Sequence, residues 1–218
     1  MIRPGEEWGS PAGEPADLEV TGGDADLAHA IAAAPGALIC FVPDLTSDLA
    51  RAIGIPAGGV VDPAGNALPV DALHLTDGSL ATNLCVIGTA PDRLRWSSPA
   101  PALEVRVDDR PWFTGRATSV VVATGQFLRG TDIVPRGHPG DGKVEVQVYE
   151  LQRGERARMR ARLATGAHVP HPRIRQRTAH RVEVRSGKPL PIEVDGVART
   201  PARELSIEVV PGAYRLLI

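Results

Sequence analysis

Aromatic residues are scarce, since Phe, Trp and Tyr together make up only 4% of the 218 residues. A hydrophobic core must therefore consist mainly of Val, Leu, Ile and Ala, and an apolar share of 43% is large enough to form one. Long apolar runs are also missing, and none approaches the roughly 20 residues that a membrane-spanning helix requires. We therefore expect no transmembrane segment.

Cysteine is limited to Cys40 and Cys85, and each lies inside an apolar run. That position favours two buried free thiols over a disulfide, which indicates a reducing compartment. The beginning of the chain, Met1–Glu14, is polar and rich in Pro and Gly, unlike a signal peptide. We therefore predict a cytoplasmic protein. The formal net charge of −2 argues against a general nucleic-acid-binding protein.

Glycine and proline, with 23 and 20 residues, recur along the whole chain, as is typical of many short strands joined by turns. Residues 1–16 lack apolar periodicity, and we predict a flexible arm there. Residues 17–57 predict a small, truncated α/β layer of Rossmann-like type, which is too small to stand alone. Its predicted strands are Asp17–Val20 and Ala37–Val42, and its predicted helices are Asp24–Ala34 and Asp44–Ile53.

Residues 58–218 show the period of two that is typical of β-strands, with one helix near Gly154–Ala164. We predict a larger antiparallel β-sandwich domain here, whose last strand is free to return to the α/β layer, so the fold class is α+β with two domains. The predicted strands are Val60-Val61, Ala72–Leu75, Ala81–Ile87, Leu103–Val107, Ser119–Ala123, Val144–Tyr149, Ile174–Thr178, Val182–Arg185, Ile192–Val194 and Leu205–Val209, separated by turns such as Asp108-Asp109, Ser186-Gly187 and Asp195-Gly196.

Two predicted strand-to-helix turns carry residues suited to phosphate chemistry. In the first, Gly22 and Gly23 precede Asp24 at the start of a helix, where backbone amides favour an anion. The second contains Thr46 and Asp48. Either turn is equally consistent with simple helix capping, by Asp44 or Thr46 in the second case. Adjacent turns after parallel strands nevertheless form the usual ligand crevice of an open α/β sheet.

Two further segments lie in the predicted β domain. One is Ser119–Thr131, a strand followed by Thr124-Gly125 and by Arg129-Gly130, with Asp141-Gly142 somewhat later. The other is the turn Asp195-Gly196. Taken singly, each is a strand with a turn, because Asp-Gly is a common hairpin dipeptide.

In their order along the chain, these segments resemble the motifs of the diacylglycerol kinase family of lipid kinases, which includes sphingosine and ceramide kinases. More distantly they resemble NAD kinases. The resemblance covers residues 18–218 and is most continuous from Ser119 onward. It implies a nucleotide crevice between the two domains, in which glycine-rich loops cradle the phosphates of ATP and Mg²⁺ bridges them.

The resemblance also implies roles for individual residues. Asp195 is the expected base toward a lipid hydroxyl, Asp24 is the expected contact to metal or phosphate, and Asp141 matches a position in an acidic metal motif. The positions expected to bind the cofactor are Gly22, Gly23, Thr46, Asp48, Thr124, Gly125, Arg129 and Gly130.

Several of these motifs depart from the family pattern. The Gly-Thr expected after Asp24 is Ala25-Asp26, and a second carboxylate there repels a triphosphate. Arg129 replaces a glycine, and we predict either a phosphate contact or a solvent-exposed turn residue. Val197 replaces the glutamate that should follow Asp195-Gly196. The strand–helix–strand–helix stretch expected before Gly22 has no counterpart in the roughly 20 residues that precede it.

The stretch 153–181 is rich in arginine. It predicts either a solvated surface or a peripheral contact with anionic lipid head groups. A metal site at His168 and His171 is disfavoured, because Pro170 intervenes and a third ligand is lacking.

Three functions remain open. The first is a non-catalytic descendant that binds a lipid, a nucleotide or a partner protein. The second is an active lipid kinase that uses ATP and Mg²⁺. The third is a homo-oligomeric regulatory or structural subunit, such as a homodimer, in which an interface covers a sheet edge left exposed. The first explains the eroded motifs most directly, and under it no cofactor is required.

Overall fold

A computed structural model describes residues 8–59, 61–62 and 65–218. In the described residues the strands are β1 (Ser10–Pro11), β2 (Leu18–Gly22), β3 (Leu38–Pro43), β4 (Asn66–Leu75), β5 (Leu80–Ala81), β6 (Leu84–Gly88), β7 (Ala102–Val107), β8 (Arg110–Arg116), β9 (Ser119–Ala123), β10 (Phe127–Leu128), β11 (Thr131–Asp132), β12 (Val144–Tyr149), β13 (Ile174–Ala179), β14 (Arg181–Val194) and β15 (Val197–Leu217). The α-helices are α1 (Asp24–Ala33), α2 (Asp48–Ile53) and α3 (Arg156–Leu163), and 3₁₀ turns cover Pro91–Arg93 and Arg153–Glu155.

One large sheet dominates the part of the chain that the structure describes. Its main path is β1-β4-β15-β14-β6-β9-β12-β13, and neighbours along this path are antiparallel. The hairpin β7–β8 joins it through β14. The core that the strands of this sheet enclose is mainly aliphatic, as the shortage of aromatic residues predicts. Its buried members include Val105, Val122, Val146, Val184 and Ile207. The predicted antiparallel β-sandwich is confirmed.

The N-terminal strands add a parallel edge to this sheet. β2 pairs in parallel with β3, and β3 pairs in parallel with the end of β15, where Leu38 faces Arg215. α1 follows β2, and α2 follows β3. Leu27 and Ile31 of α1 and Leu49 of α2 pack with Phe41 and Tyr214 in a second core. The two strand-to-helix turns consequently lie side by side at one edge of the sheet.

Several boundaries differ from the predictions. The predicted strands Val182–Arg185 and Ile192–Val194 form the single strand β14, because the predicted turn at Ser186-Gly187 is an irregular stretch within it. The helix predicted to begin at Asp44 begins at Asp48. Its N-cap is Ser47, whose hydroxyl accepts a hydrogen bond from the amide of Ala50, and neither Asp44 nor Thr46 has this role.

Further predictions concern the arm at the start of the chain, the two cysteines and membrane-spanning helices. Within the predicted arm, Ser10–Pro11 pairs with Ala67 and Asn66 of β4. Main-chain pairing therefore holds these two residues on the sheet, although their sequence lacks apolar periodicity. Residues 1–7 of that arm and Val60 lie outside the described residues. Cys40 and Cys85 are free thiols, as predicted, but only Cys85 is buried, whereas Cys40 is half-buried. No helix among the described residues combines the length and apolar character needed to cross a membrane.

Candidate functional site

The turn after β2 is closed by a carboxylate from its own helix. Gly22 has φ +133°, a conformation that favours glycine, and it leads into Gly23, the N-cap of α1. Asp26 then reaches back, and its carboxylate accepts a hydrogen bond from the Gly23 amide at 2.9 Å. The obstacle to a phosphate is therefore more than the repulsion predicted from a second carboxylate. Asp26 also accepts the hydrogen bond of the Gly23 amide, which is a main-chain donor at the position where an anion would bind.

Asp24 joins this turn to the turn after β3. Its carboxylate accepts hydrogen bonds from the Ser47 hydroxyl at 2.5 Å and from the amides of Asp48 and Leu49 at 3.1 Å. The residue is buried, with 5% of its surface exposed. Burial raises the pKa of Asp24 to about 7, and the neighbouring charge of Asp195 adds to this, whereas the bonds from Ser47 and Leu49 oppose it.

Asp48 joins the second turn to the loop after β10. Its two carboxylate oxygens accept hydrogen bonds from the main-chain amides of Arg129 and of Gly130, the latter at 2.7 Å. Arg129 and Gly130 both have positive φ, which turns their amides toward Asp48. Two amides in a left-handed turn make a favourable anion-binding concavity, and here the chain fills it with its own carboxylate.

Asp195, at the turn between β14 and β15, holds a fourth segment. It accepts hydrogen bonds from the amides of Thr82, Asn83 and Leu84 at 2.7, 3.1 and 2.9 Å. Burial raises the pKa of Asp195, and these amides act in the opposite direction. Main-chain donors therefore engage both oxygens of the Asp195 carboxylate. This geometry fits a structural role, in which Asp195 holds the segment Thr82–Leu84 against its own turn, better than it fits a catalytic base with an unengaged oxygen.

These segments surround a small groove of about 270 Å³. The residues that line it are Gly23, Asp24, Ala25, Asp26, Asp44, Thr46, Asp48, Arg129, Asp195, Gly196 and Val197. The sequence-predicted residues of both strand-to-helix turns, of the Arg129 loop and of the Asp195 turn therefore converge. The groove holds five carboxylates, and Arg129 is the one cationic residue among those that line it.

Arg129 is neither a free phosphate-binding cation nor a solvent-exposed turn residue. Its guanidinium binds Asp92 through two hydrogen bonds of 2.9 and 2.8 Å and also pairs with Glu193. Burial lowers the pKa of Arg129, but the bonds to these two carboxylates outweigh burial and raise it. Asp92 and Glu193 carried no motif in the sequence, since only the folded chain brings them to Arg129.

The other predicted residues have supporting or separate positions. Thr124 is buried behind the groove, where its hydroxyl donates to the carbonyl of Asn83 at 3.2 Å. Gly125 packs so closely on Asn83 that a side chain would collide with it. Thr46 donates its amide and hydroxyl to Asp44 at 2.7 and 2.6 Å.

Asp141 does not line the groove, and its carboxylate accepts a bond from the amide of Lys143 at 3.0 Å. Within the described residues, no three His, Cys, Asp or Glu side chains form a group that would hold a metal ion. N–H and O–H donors of the chain engage both carboxylate oxygens of Asp24, Asp48 and Asp195. They also engage one oxygen each of Asp26 and Asp44. The residues present therefore do not fit the Mg²⁺ that the resemblance implies.

Sequence reasoning missed the segment Thr82–Leu84 and the cap Ser47. Thr82-Asn83 falls inside a predicted strand, so nothing in the local pattern indicates that its amides face Asp195. Ser47 was detectable, because Ser is a preferred N-cap and lies directly before the helix observed.

Comparison with known proteins agrees with this architecture. A sequence model of the family described as the YegS C-terminal NAD kinase beta sandwich-like domain matches residues 87–218. No curated protein matches the chain.

Solved structures resemble it at low identity. A diacylglycerol kinase from Bacillus anthracis str. Sterne is 18% identical with a TM-score of 0.71, over 92% of this chain and 76% of that one. An NAD kinase from Archaeoglobus fulgidus, in complex with ATP, is 12% identical with a TM-score of 0.52, over 93% and 78%. Yeast NADH kinase, complexed with NADH, is 12% identical with a TM-score of 0.55, over 92% and 61%. At these identities the likeness concerns the fold.

Proposed function

The chain belongs to the family of YegS C-terminal NAD kinase beta sandwich-like domains, and we propose that within this kinase-like fold it is a non-catalytic binding protein that does not transfer phosphate from ATP. One observation carries the proposal. Main-chain amides of the turns around the groove, at Gly23, Asp48, Leu49, Arg129 and Gly130, donate to aspartates that line it.

The electrostatics of the groove support the same function. An ATP phosphate would have to displace a carboxylate from each amide that it bound and would then lie beside the displaced charge. Two unit charges 4 Å apart repel by about 1–4 kcal/mol at effective dielectrics of 80 to 20. Arg129 offers no compensation, because Asp92 and Glu193 already neutralise it.

Thermal denaturation with Mg·ATP tests this proposal. We expect no stabilisation of the wild-type protein, since a ligand that does not bind the native state cannot raise the melting temperature. The double variant Ala25→Gly/Asp26→Thr removes the carboxylate that covers the Gly23 amide, and we expect it to gain a shift. Asp77→Thr, a change at an exposed turn, is the matched control and should gain none.

Activity provides an independent test. Label from γ-labelled ATP should reach none of diacylglycerol, sphingoid base or polyprenol. Transfer that Asp24→Asn or Asp195→Asn abolishes would overturn the proposal.

An active lipid kinase is the second candidate, and the position of Asp24 favours it. A carboxylate with a pKa of about 7 is suited to take a proton from a hydroxyl near neutral pH. In that case we take Asp24 as the base because of this pKa, since hydrogen bonding does not separate the two carboxylates: three donors engage Asp24 and three amides engage Asp195. The transfer assay distinguishes the two, since the kinase predicts label transfer that Asp24→Asn removes.

A homodimer is compatible with either candidate. β2 pairs with β3 on one side, and among the described residues no strand pairs with its other side. Leu18 at its start is 36% exposed. An open edge of this kind is a template for pairing with a second copy. Light scattering after size exclusion tests this, and a mass of 23.0 kDa at all concentrations would exclude it.

A further inference from the structure

A second cavity, of about 780 Å³, lies in the β domain outside the groove. It opens where β14 changes partners: Ser186 faces Leu103 of β7, whereas Ile192 faces Ile87 of β6. Between these points Pro189 and Pro191 have no amide hydrogen to donate to a neighbouring strand. The sheet therefore separates at this place and leaves an opening instead of a continuous ladder.

The opposite wall of this cavity is the segment 97–102, which a buried arginine holds in place. Arg156 is 3% exposed and donates to the carbonyls of Trp96 and Ser98 at 2.8 and 2.7 Å. Arg160 donates to the carbonyl of Leu94 at 2.8 Å. Because these bonds fix the loop backbone, the wall is formed before any ligand arrives.

The charge of the cavity is one-sided. Arg116, Arg153, Arg156 and Lys188 line it, and no carboxylate does. Arg116 and Lys188 lie at its exposed rim and form no ion pair within the described chain, and the guanidinium of Arg153 stacks 4.6 Å from the ring of Trp96. Glu104 lines an adjoining depression but not this cavity. Cations without counter-charges around a concavity attract an anion.

The rest of the lining is mixed. The hydroxyl-bearing residues of the lining are Thr89, Ser97, Ser98, Thr118 and Ser186, of which Thr118 already donates to the carbonyl of Tyr149. Apolar surface comes from four prolines, two alanines and Leu190. A volume of this size accommodates a small molecule, whose apolar part packs on the prolines while hydroxyls and cations bind its charged end.

We propose that this cavity binds an amphipathic phosphate monoester, a phosphate group that carries a short apolar chain. Arg116 and Lys188 bind the phosphate, and the proline-lined wall takes up the chain. This goes beyond the function proposed for the groove and does not depend on it, since the two cavities share no lining residue. The same headgroup chemistry occurs in soluble monoesters and on lipid surfaces, and the experiment distinguishes these sources.

Calorimetric titration with hexyl phosphate, hexanol and inorganic phosphate tests the chemistry. We expect hexyl phosphate to bind at least about tenfold more tightly than either fragment. In Arg116→Gln/Lys188→Gln its affinity should fall by at least about tenfold, because the variant removes both charged hydrogen-bond donors to the phosphate. The control Arg110→Gln/Arg177→Gln removes two exposed arginines outside the cavity and should retain full affinity.

Trp96 provides a readout next to the site, because Arg153, which lines the cavity, stacks on its ring. Hexyl phosphate bound in the cavity should change the surroundings of this ring and hence its fluorescence, and Trp96→Phe should abolish the change. Lys188→Glu alone should place a negative charge beside the phosphate and weaken binding by at least about tenfold, which provides a test even if the double variant folds poorly. Equal binding of inorganic phosphate, or unchanged affinity in both cavity variants, would overturn the proposal.

Vesicles distinguish the source. The wild-type protein should bind phosphatidylcholine vesicles that contain phosphatidic acid more weakly than it binds hexyl phosphate, because the chains of a membrane lipid are embedded in the bilayer and cannot pack on the proline-lined wall. Vesicles of phosphatidylcholine alone are the control. Binding to the charged vesicles alone, lost equally in the cavity variant and in the control, would assign the effect to the general arginine-rich surface and would contradict the cavity site.

Discussion

The carboxylate of Asp24 accepts a hydrogen bond of 2.5 Å from the hydroxyl of Ser47, across 23 residues of chain. The same hydroxyl accepts a bond from the amide of Ala50 and caps α2. Asp24 is therefore attached to the beginning of α2, although its own helix is α1. The contact fixes the two strand-to-helix turns relative to each other and places a buried carboxylate between them.

The raised pKa of Asp24 predicts that stability depends on pH. Between about pH 4 and 7 the folded protein retains a proton that the unfolded chain releases, so stability falls as pH rises through that window and levels off above it. The difference between 3.8 and about 7 corresponds to at most roughly 4 kcal/mol. Urea denaturation at several pH values should show a shallower decline in Asp24→Asn.

Burial also raises the pKa of Asp71 and of Asp195, so part of the wild-type decline should persist in that variant. The exposed Asp109→Asn is the control and should retain the full decline. Identical slopes in wild type and Asp24→Asn would contradict the prediction.

Asp195→Asn should destabilise the protein by about 1–3 kcal/mol. Asparagine tolerates the positive φ of 47° at this position, but it directs an NH₂ group at amides that need an acceptor. Asp141→Asn, where one amide faces the carboxylate, should cost less. The midpoints of urea unfolding decide this. A stable Asp195→Asn protein would return Asp195 to the list of possible bases.

Arg129→Gln should cost about 1–3 kcal/mol of unfolding free energy, because it leaves Asp92 and Glu193 without their shared partner. Arg93→Gln removes a more exposed cation that meets Glu193 alone, and it should cost at most about 1 kcal/mol. If the only role of Arg129 were to bind a ligand, Arg129→Gln and Arg93→Gln would be equally stable without that ligand. The free energies of unfolding of both variants, measured by chemical denaturation at low and at high salt, distinguish these two cases.

Gly137→Ala should destabilise the loop behind the groove. A methyl group there would overlap the main-chain carbonyl of Gly125, so the backbone has to move, and overpacking of this kind costs about 1–3 kcal/mol. Gly154→Ala is the matched control, since its position has open space around it and φ is not positive. Thermal denaturation should show a lower melting temperature for Gly137→Ala alone.

Local patterns identified much of the fold. Alternating or continuous apolar residues located strands such as Ser119–Ala123 and Val144–Tyr149, which the structure reproduces at the same bounds. The Asp-Gly turn at Asp195-Gly196 was also correct, because its positive φ values are a local property. The irregular stretch inside β14 escaped detection, since it depends on which strands lie beside it.

For the site, the sequence by itself determined which chemical groups are present and in what order: glycines in turns, aspartates beside them, and an arginine where the resemblance expects glycine. Only the tertiary structure decided their partners. Asp48 meets Gly130 across 82 residues, and Asp195 meets Thr82 across 113. A carboxylate binds whichever donor the folded backbone presents, and separations of that length leave no trace in a local pattern. Whether the amides around a groove are free to bind a ligand or donate to the chain's own carboxylates is therefore decided only by the tertiary structure.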